Sequence, residues 1–450
     1  MIGIIIFILC IICYFNSKYR HFSLVLYIGF LNGDMGGYNI LTNQVIGMKN
    51  IDLALLFTLV VIFSNISKHK KLVSKIPLNI IRLIKYFLLF ILCSILFSLI
   101  HYDFPLFTVF RGTRSYILIL SLFAFNCFTT KEIYNALRII LNITIITSVL
   151  YILQIILGRP IMPYAWDYSK DESTGLVRLY NMPVFLTFFT LLSFTKNDII
   201  NKHISLYRLI LVLAVICTLG RTMIATTFLG ILMISIMNKG VRSLWKISLL
   251  FILLLYPFYD TLSSRFSDSG TTNDIERVKN ADYTDYHGGE GTLIYRIAWI
   301  YERWDYLQNR PISEKIFGLG LIGEGEPEVY KKYNFQIGLK NDKGQVAQLS
   351  TPDIAYGDML THLGILGSIL NISIILYLIF YFFKNRKTHF LASLSFCLLT
   401  ILLINSMSGS SISNPKNITM YFLILVFISK YKDRNNNEYK NINSNCNIQL

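Results

Sequence analysis

Long apolar stretches with few charges recur along this chain. Residues 83–100, 137–157, 206–219, 224–237, 363–383 and 390–404 are the clearest. They lie near the ~17 to 25 apolar residues with which a helix crosses a bilayer, some falling short of that length. Together with shorter candidates they predict an all-α polytopic membrane protein with about 12–14 transmembrane helices, roughly 13. The first run, 2–15, has no basic region before it and no small-residue cleavage site after it, so it reads as a retained first span and not as a signal peptide. A different pattern governs 292–309. There Leu293, Ile297, Ile300, Trp304 and Leu307 recur at helical spacing while Arg296, Arg303 and Arg310 recur every seventh position. This predicts an amphipathic helix with a single arginine stripe, ended by Pro311.

Composition adds a constraint. With 54% hydrophobic and 15% charged residues over 450 positions, there are too few polar side chains to cover a soluble globule. The formal charge of +16 would suit a nucleic-acid partner if it were gathered on one segment. It is instead distributed over alternate connections: Lys18/Arg20, Lys68 to Lys75, Lys131/Arg138, Lys196 to Arg208, Lys239 to Lys246, Lys384 to Lys387 and Lys430 to Arg434. With positive loops inside, the N-terminus is outside and the C-terminus inside, and no nucleic acid is implied. Four segments then share the outer face: 101–114, 158–181, the turn at Gly220–Arg221, and the long stretch beginning at 259. The chain divides into N-terminal transmembrane helices (1–258), one large extracytoplasmic loop (259–352), C-terminal transmembrane helices (353–430) and a tail (431–450). The Asn- and Lys-rich tail reads as disordered, and the Ser-, Asp-, Asn- and Gly-rich start of the loop, 263–291, reads as flexible. None of the seven cysteines falls in an outward loop, so no disulfide framework is implied.

Three residues of the outer face carry candidate chemistry. Arg221 is the only basic residue between Leu209 and Met237, and a cation at hydrocarbon depth is costly. Thr218, Gly220 and Thr222 around it predict a tight helical hairpin whose tip holds the guanidinium at the interface. Arg296 leads the arginine stripe. Asp353 follows Ser350-Thr351-Pro352, which reads as an N-cap with proline in the first turn, where the helix dipole would favour a carboxylate. Each has a plainer alternative: a snorkelling arginine, an arginine turned to headgroups, and an ordinary capping acid. Gly318, Gly320 and Gly323 match the GxGxxG spacing of dinucleotide sites, but no strand–helix–strand unit surrounds them, and they are expected to let the chain turn back toward the membrane. His287, His362 and His389 lack metal-ligand spacing.

The order of these motifs resembles that of the Wzy-type polysaccharide polymerases and the related O-antigen ligases. The residues carrying the resemblance are Leu219-Gly-Arg221-Thr-Met-Ile-Ala; Tyr295-Arg296-Ile-Ala-Trp299; Pro311 with Phe317-Gly-Leu-Gly320; Asp353-Ile-Ala-Tyr356 leading to Leu363-Gly-Ile-Leu-Gly367; and Arg178 before Tyr180-Asn-Met-Pro183. They cover 175–416. The resemblance implies a GT-C-like helical architecture in a bacterial cytoplasmic membrane, with the active site on the extracytoplasmic face. It also implies metal-independent, cofactor-free glycosyl transfer from undecaprenyl pyrophosphate. In that reading Arg221, Arg296 and Asp353 are catalytic, with Asp358 and His287 as substitutes for the acid. Arg178, Arg303, Tyr356, Arg111 and Arg114 bind substrate, and a chain-length regulator is a further partner. The ligases look to carry histidine where this chain has Asp353, which favours a polymerase over a ligase. A flippase fits less well, because transporters place ionisable groups near the midplane and these spans are nearly free of them.

Overall fold

The computed structural model describes residues 2–32, 49–68, 76–162, 168–170, 177–179, 181–200, 203–239, 277, 279–280, 282–284, 292–340, 344–351, 353–407, 409 and 412–446. These are mostly helical. The first half comprises α1 (Ile2–Phe15), α2 (Arg20–Leu31), α3 (Asn50–Ser64), α4 (Leu78–Ile100), α5 (Leu106–Ile117), α6 (Ser121–Phe125) and α7 (Thr130–Ile156). Two three-residue strands follow, β1 (Tyr168–Lys170) and β2 (Val177–Leu179), paired antiparallel with Ser169 opposite Arg178. Next come α8 (Leu186–Leu192), α9 (Ile204–Cys217), α10 (Arg221–Lys239), α11 (Thr292–Gln308), α12 (Ile312–Phe317), α13 (Pro327–Lys332), α14 (Ala355–Asn385), α15 (Phe390–Asn405) and α16 (Thr419–Cys446).

Among the described residues, four helical stretches are long and apolar enough to cross a membrane: Leu78–Ile100, Leu106–Phe125, Thr130–Ile156 and Ala355–Asn385. Six shorter apolar helices accompany them, among them Arg20–Leu31 and Phe390–Asn405. Helix α4 has the surface a lipid solvent requires. Its residues Ile84, Phe87, Ile91 and Ser94 are buried against the core, while Leu89, Leu92, Leu96 and Ile100 on the other side are exposed. A helix apolar on every face, with one face outside the protein core, is matched to hydrocarbon and not to water. Local signals start the helices where sequence chemistry dictates. At the head of α7, Thr129 and Glu132 form a reciprocal capping box, the Thr129 amide donating to Glu132 at 2.7 Å.

Several expectations change here. Residues 101–114 are not a loop. Only 101–105 are non-helical, and α5 begins after Pro105 with Val109, Thr113 and Tyr116 buried at helical spacing, a pattern diluted by the arginines between them. The tail is helical through Cys446 because it extends α16, whose apolar first turns have already met the cost of helix nucleation. The fold also includes the β1–β2 hairpin within the segment expected to be an outward loop. Asp353 is not in a first turn. The helix starts two residues later, with Ile354 in extended conformation at the N-cap, because the Ala355 amide is drawn to the carbonyls of Ser406 and Gly409 at 3.1 and 3.2 Å. The dipole argument for Asp353 therefore lapses. The expected helix over 292–309 is present as α11. Most of 263–291, His287 included, lies outside the described residues.

The turn before α15 contains a pH-dependent contact. His389 caps that helix by accepting the Leu391 amide at Nδ1 (3.2 Å), and its ring packs on Phe390, Phe427 and Tyr431. Burial lowers its pKa to about 4, partly opposed by Asp198. A folded-state pKa below the unfolded one leaves stability untouched above pH ~6.5 and removes it as pH falls toward the folded value, here by about 3 kcal/mol in total. Melting the detergent-purified protein at pH 7 and pH 4 is expected to reveal this loss, and His389→Asn, which caps without titrating, is expected to recover it. Equal acid sensitivity of the two proteins would refute the assignment.

Candidate functional site

The most elaborate polar region forms where α14 breaks. Gly364 leaves helical geometry (φ 62, ψ −165) inside this 31-residue helix. Into the break packs the end of α12: a Cβ on Gly364 would lie 2.4 Å from both the Gly318 amide nitrogen and the Ile316 carbonyl oxygen. Gly318 and Gly320 take positive φ values of 78 and 107, so the glycines do turn the chain back onto the bundle. The Leu319 amide then donates to the Thr361 carbonyl at 2.6 Å, Leu321 donates to Ser98 Oγ at 3.0 Å, and Tyr102 donates to the Gly318 carbonyl at 2.8 Å. On the opposite side, α5 approaches residues 321–322 so closely that a Cβ on Gly112 would sit 2.7 Å from the Leu321 carbonyl.

Between these elements lies a cavity of about 650 Å³. Its cations are Lys49, Arg111, Arg114 and Lys416, and its floor holds Asp358 and His362 from the first two turns of α14. Arg114 Nη1 donates to both oxygens of Asp52 at 2.8 Å, a charge-assisted contact made through one nitrogen. Arg111, 62% exposed, reaches Glu326 at 3.1 Å. His362 Nε2 lies 2.9 Å from Ser350 Oγ and 3.6 Å from Asp358 Oδ1, and its Nδ1 lies 3.4 Å from the Gly320 carbonyl. The carbonyl accepts only, so Nδ1 carries the proton and Nε2 accepts from Ser350 when the ring is neutral. Ser350 itself is held by Glu324, whose carboxylate accepts the amides of Gln348, Leu349 and Ser350 at 2.6 to 2.8 Å. Among the described residues no group of three or more His, Cys, Asp or Glu could hold a metal.

Of the residues singled out by sequence, Arg111, Arg114 and Asp358 line this cavity; Arg296, Arg303, Asp353 and Tyr356 are not among its described walls. Arg303 is fully buried. Its guanidinium donates to the carbonyls of Ala347 and Gln348, pairs with Glu302 at 2.6 Å and stacks on Trp299 and Phe335 at 4.1 and 4.5 Å. Burial lowers its pKa to about 10 against the pull of Glu302. Its donors are committed to the carbonyls of Ala347 and Gln348 and to Glu302 and Trp299 on its own helix, so Arg303 ties α11 to residues 347–348. Tyr356 donates to the Leu403 carbonyl at 3.1 Å, joining α14 to α15. Arg178 stands on β2 and Arg221 opens α10 after a turn with Leu219 at φ 49; their side chains lie outside the described residues. Arg296 is half-buried, and its Nε has no hydrogen-bond partner among the described residues.

Pairwise contacts link the segments that carry Arg221, Asp353 and Arg296. Asn405, last of α15, donates to Thr226 in the second turn of α10 at 3.4 Å, while the Ala355 amide bonds the turn just after Asn405. Trp299 of α11 fills the space beside Gly357, and Ile354 packs with Ile294 and Ala298. The start of α14 thus touches both α11 and the turn after α15, and the end of α15 in turn touches α10. His362, set aside with His287 and His389 as lacking metal-ligand spacing, lines the cavity because α14 breaks at Gly364; the available signal was its spacing of four from Asp358, which aligns both on one helix face. No family model matches the chain, and no curated protein is significantly similar to it.

Proposed function

We propose that this chain is an extracytoplasmic glycosyltransferase that polymerises oligosaccharide repeats carried on undecaprenyl pyrophosphate, in the manner of the Wzy-type polymerases that its motifs resemble. In this reading the bond between the anomeric carbon and the donor pyrophosphate breaks, and a hydroxyl oxygen of the acceptor repeat takes its place. The hydroxyl proton passes to a carboxylate and the pyrophosphate leaves with the bonding electrons. Planar, permanently charged guanidinium groups stabilise that growing charge without a metal, the role assigned to Arg221 and Arg296. Asp353 orients the acceptor hydroxyl or takes its proton, with Asp358 as the substitute. The sugar–pyrophosphate bond supplies the energy, so no nucleotide is needed. The number of spans, about 12–14, and the outward position of 259–352 belong to the same proposal.

The observation that supports it is the relay of contacts from α10 through the end of α15 to the start of α14 and on to α11, which links segments far apart in sequence that carry or adjoin the three motif residues. Profiling lipid-linked glycans in a deletion strain tests it. Accumulation of single repeats on the carrier is expected; long polymer left on the carrier would mean a ligase, and unchanged glycans would refute enzyme action on this pool. Asp353→Asn at normal protein level is expected to stop extension, and full-rate polymerisation by that variant would pass the proton-accepting role to Asp358.

A further inference from the structure

Helix α14 changes its surroundings at the Gly364 break. No residue from Ala355 to Gly364 is exposed, whereas Ile365, Leu366, Ile369, Leu376, Phe380 and Phe383 are all exposed and apolar. From Ile365 to Phe383 the helix rises by ~27 Å at ~1.5 Å per residue, close to the ~30 Å of a bilayer's hydrocarbon core. That length matches Ile365 with one edge of the hydrocarbon and Lys384, which follows the stripe directly, with the other. Helix α11 runs alongside α14 in the same direction. Ile294 and Ala298 pack with Ile354, Trp299 and Ile300 pack on Gly357, and Trp304, Leu307 and Gln308 meet Ile365 around a narrow crevice that Lys315 of α12 completes. Because Arg303 is buried, the face that α11 brings to this edge is set by Trp304, which is 38% exposed. Ile312, one turn before Lys315, is 75% exposed. Glu314 is turned to His101 and Arg310, and among the described residues Lys315 makes no hydrogen bond or ion pair. Asp305 is exposed beside Trp304 but does not line the crevice.

We infer that Trp304, Ile312 and Lys315 form a phospholipid-binding shelf on which the α11–α12 turn rests against the bilayer. A lipid phosphate meets the Lys315 ammonium, and the acyl chain below it packs on Trp304, Ile312 and the Ile365–Leu366 start of the lipid-facing stripe. Tryptophan suits this depth because its ring is apolar while its indole N–H reaches the headgroups, and lysine can lay its stem along apolar surface with its charge at the phosphate. Ile312, which water would leave uncovered, is covered by lipid. The occupant is lipid and not a second protein because the shelf is continuous with the apolar stripe of α14, a face that only hydrocarbon matches. The shelf is independent of the glycosyl-transfer reading, since lipid contact involves no reaction, and either can fail without the other.

The test uses the full-length chain in nanodiscs of phosphatidylcholine and phosphatidylglycerol. Tryptophan emission is recorded with ordinary lipid and with lipid brominated in the upper acyl chain. The chain has four tryptophans, so the Trp304 share is taken as the difference between the native chain and Trp304→Phe. Brominated lipid is expected to reduce that share at least twofold. Adding Ile312→Trp to Trp304→Phe is expected to restore quenching by the lipid, a gain of signal that a misfolded variant would not give. A Trp304 share insensitive to brominated lipid overturns the inference: quenching by soluble iodide would then place the shelf in water, and resistance to both quenchers would place it under protein. The phosphate contact is read from native mass spectra. Lys315→Ala is expected to retain at least twofold less bound phosphatidylglycerol than the native chain, with Lys331→Ala, exposed on α13, unchanged. Equal retention by Lys315→Ala and the native chain would also overturn the assignment.

Discussion

Replacing Arg221 by lysine is expected to collapse surface polysaccharide to single-repeat length while the protein remains at normal level in the membrane. Lysine preserves the charge at the start of α10 and removes the planar fork that can bind two oxygens of one diphosphate at once. If catalysis depends on the leaving group's developing charge, loss of such a donor lowers the rate by ~10² to 10³, enough to erase long chains. If Arg221 merely anchors a helix end at the interface, lysine performs that task equally well, and chain lengths stay normal. Gel profiles of polysaccharide from cells expressing each form separate the two outcomes. Arg296→Lys is expected to match it, since the half-buried guanidinium carries an Nε without a hydrogen-bond partner among the described residues.

The second large effect concerns folding. Gly364→Ala is expected to cost at least ~3 kcal/mol, and to prevent recovery of folded protein if native stability is modest. Two costs add. The backbone there (φ 62, ψ −165) lies in a region that only glycine enters readily. The new methyl would also lie 2.4 Å from backbone atoms of Ile316 and Gly318, which cannot withdraw as a side chain could. Gly325→Ala is the matched control, because nothing lies within 4 Å of its added carbon. Thermal melts of both variants in detergent check the contrast, and a Gly364→Ala melting temperature equal to that of Gly325→Ala would contradict this account.

Much of the architecture is legible in hydropathy because lipid accepts only long apolar helices, and those leave an unmistakable run of residues such as 83–100 or 363–383. The stripe over 292–309 was equally readable, since helical periodicity survives in a polar loop. Its partners were not. That Arg303 turns inward onto Trp299 and Phe335 depends on Phe335, Ala347 and Gln348 packing over it, contacts 30 or more positions away. Helix α5 hid behind its arginines, and Asp353 was misplaced because proline and threonine imitate a helix start while the true start is set by carbonyls of the 406–409 turn. The cavity was legible only in fragments. Arg111, Arg114 and Asp358 could be named, but their meeting with His362 depends on the bend at Gly364, which a lone glycine does not announce.

Glu324 bears on how this protein can change over time. Three successive amides, at Gln348, Leu349 and Ser350, converge as they would on a captured anion, and the chain has filled that nest with its own carboxylate. With those three amides committed to Glu324, the 348–350 backbone does not offer them to an external anion. Loss of the negative charge at position 324 would reopen that nest to an anion from outside.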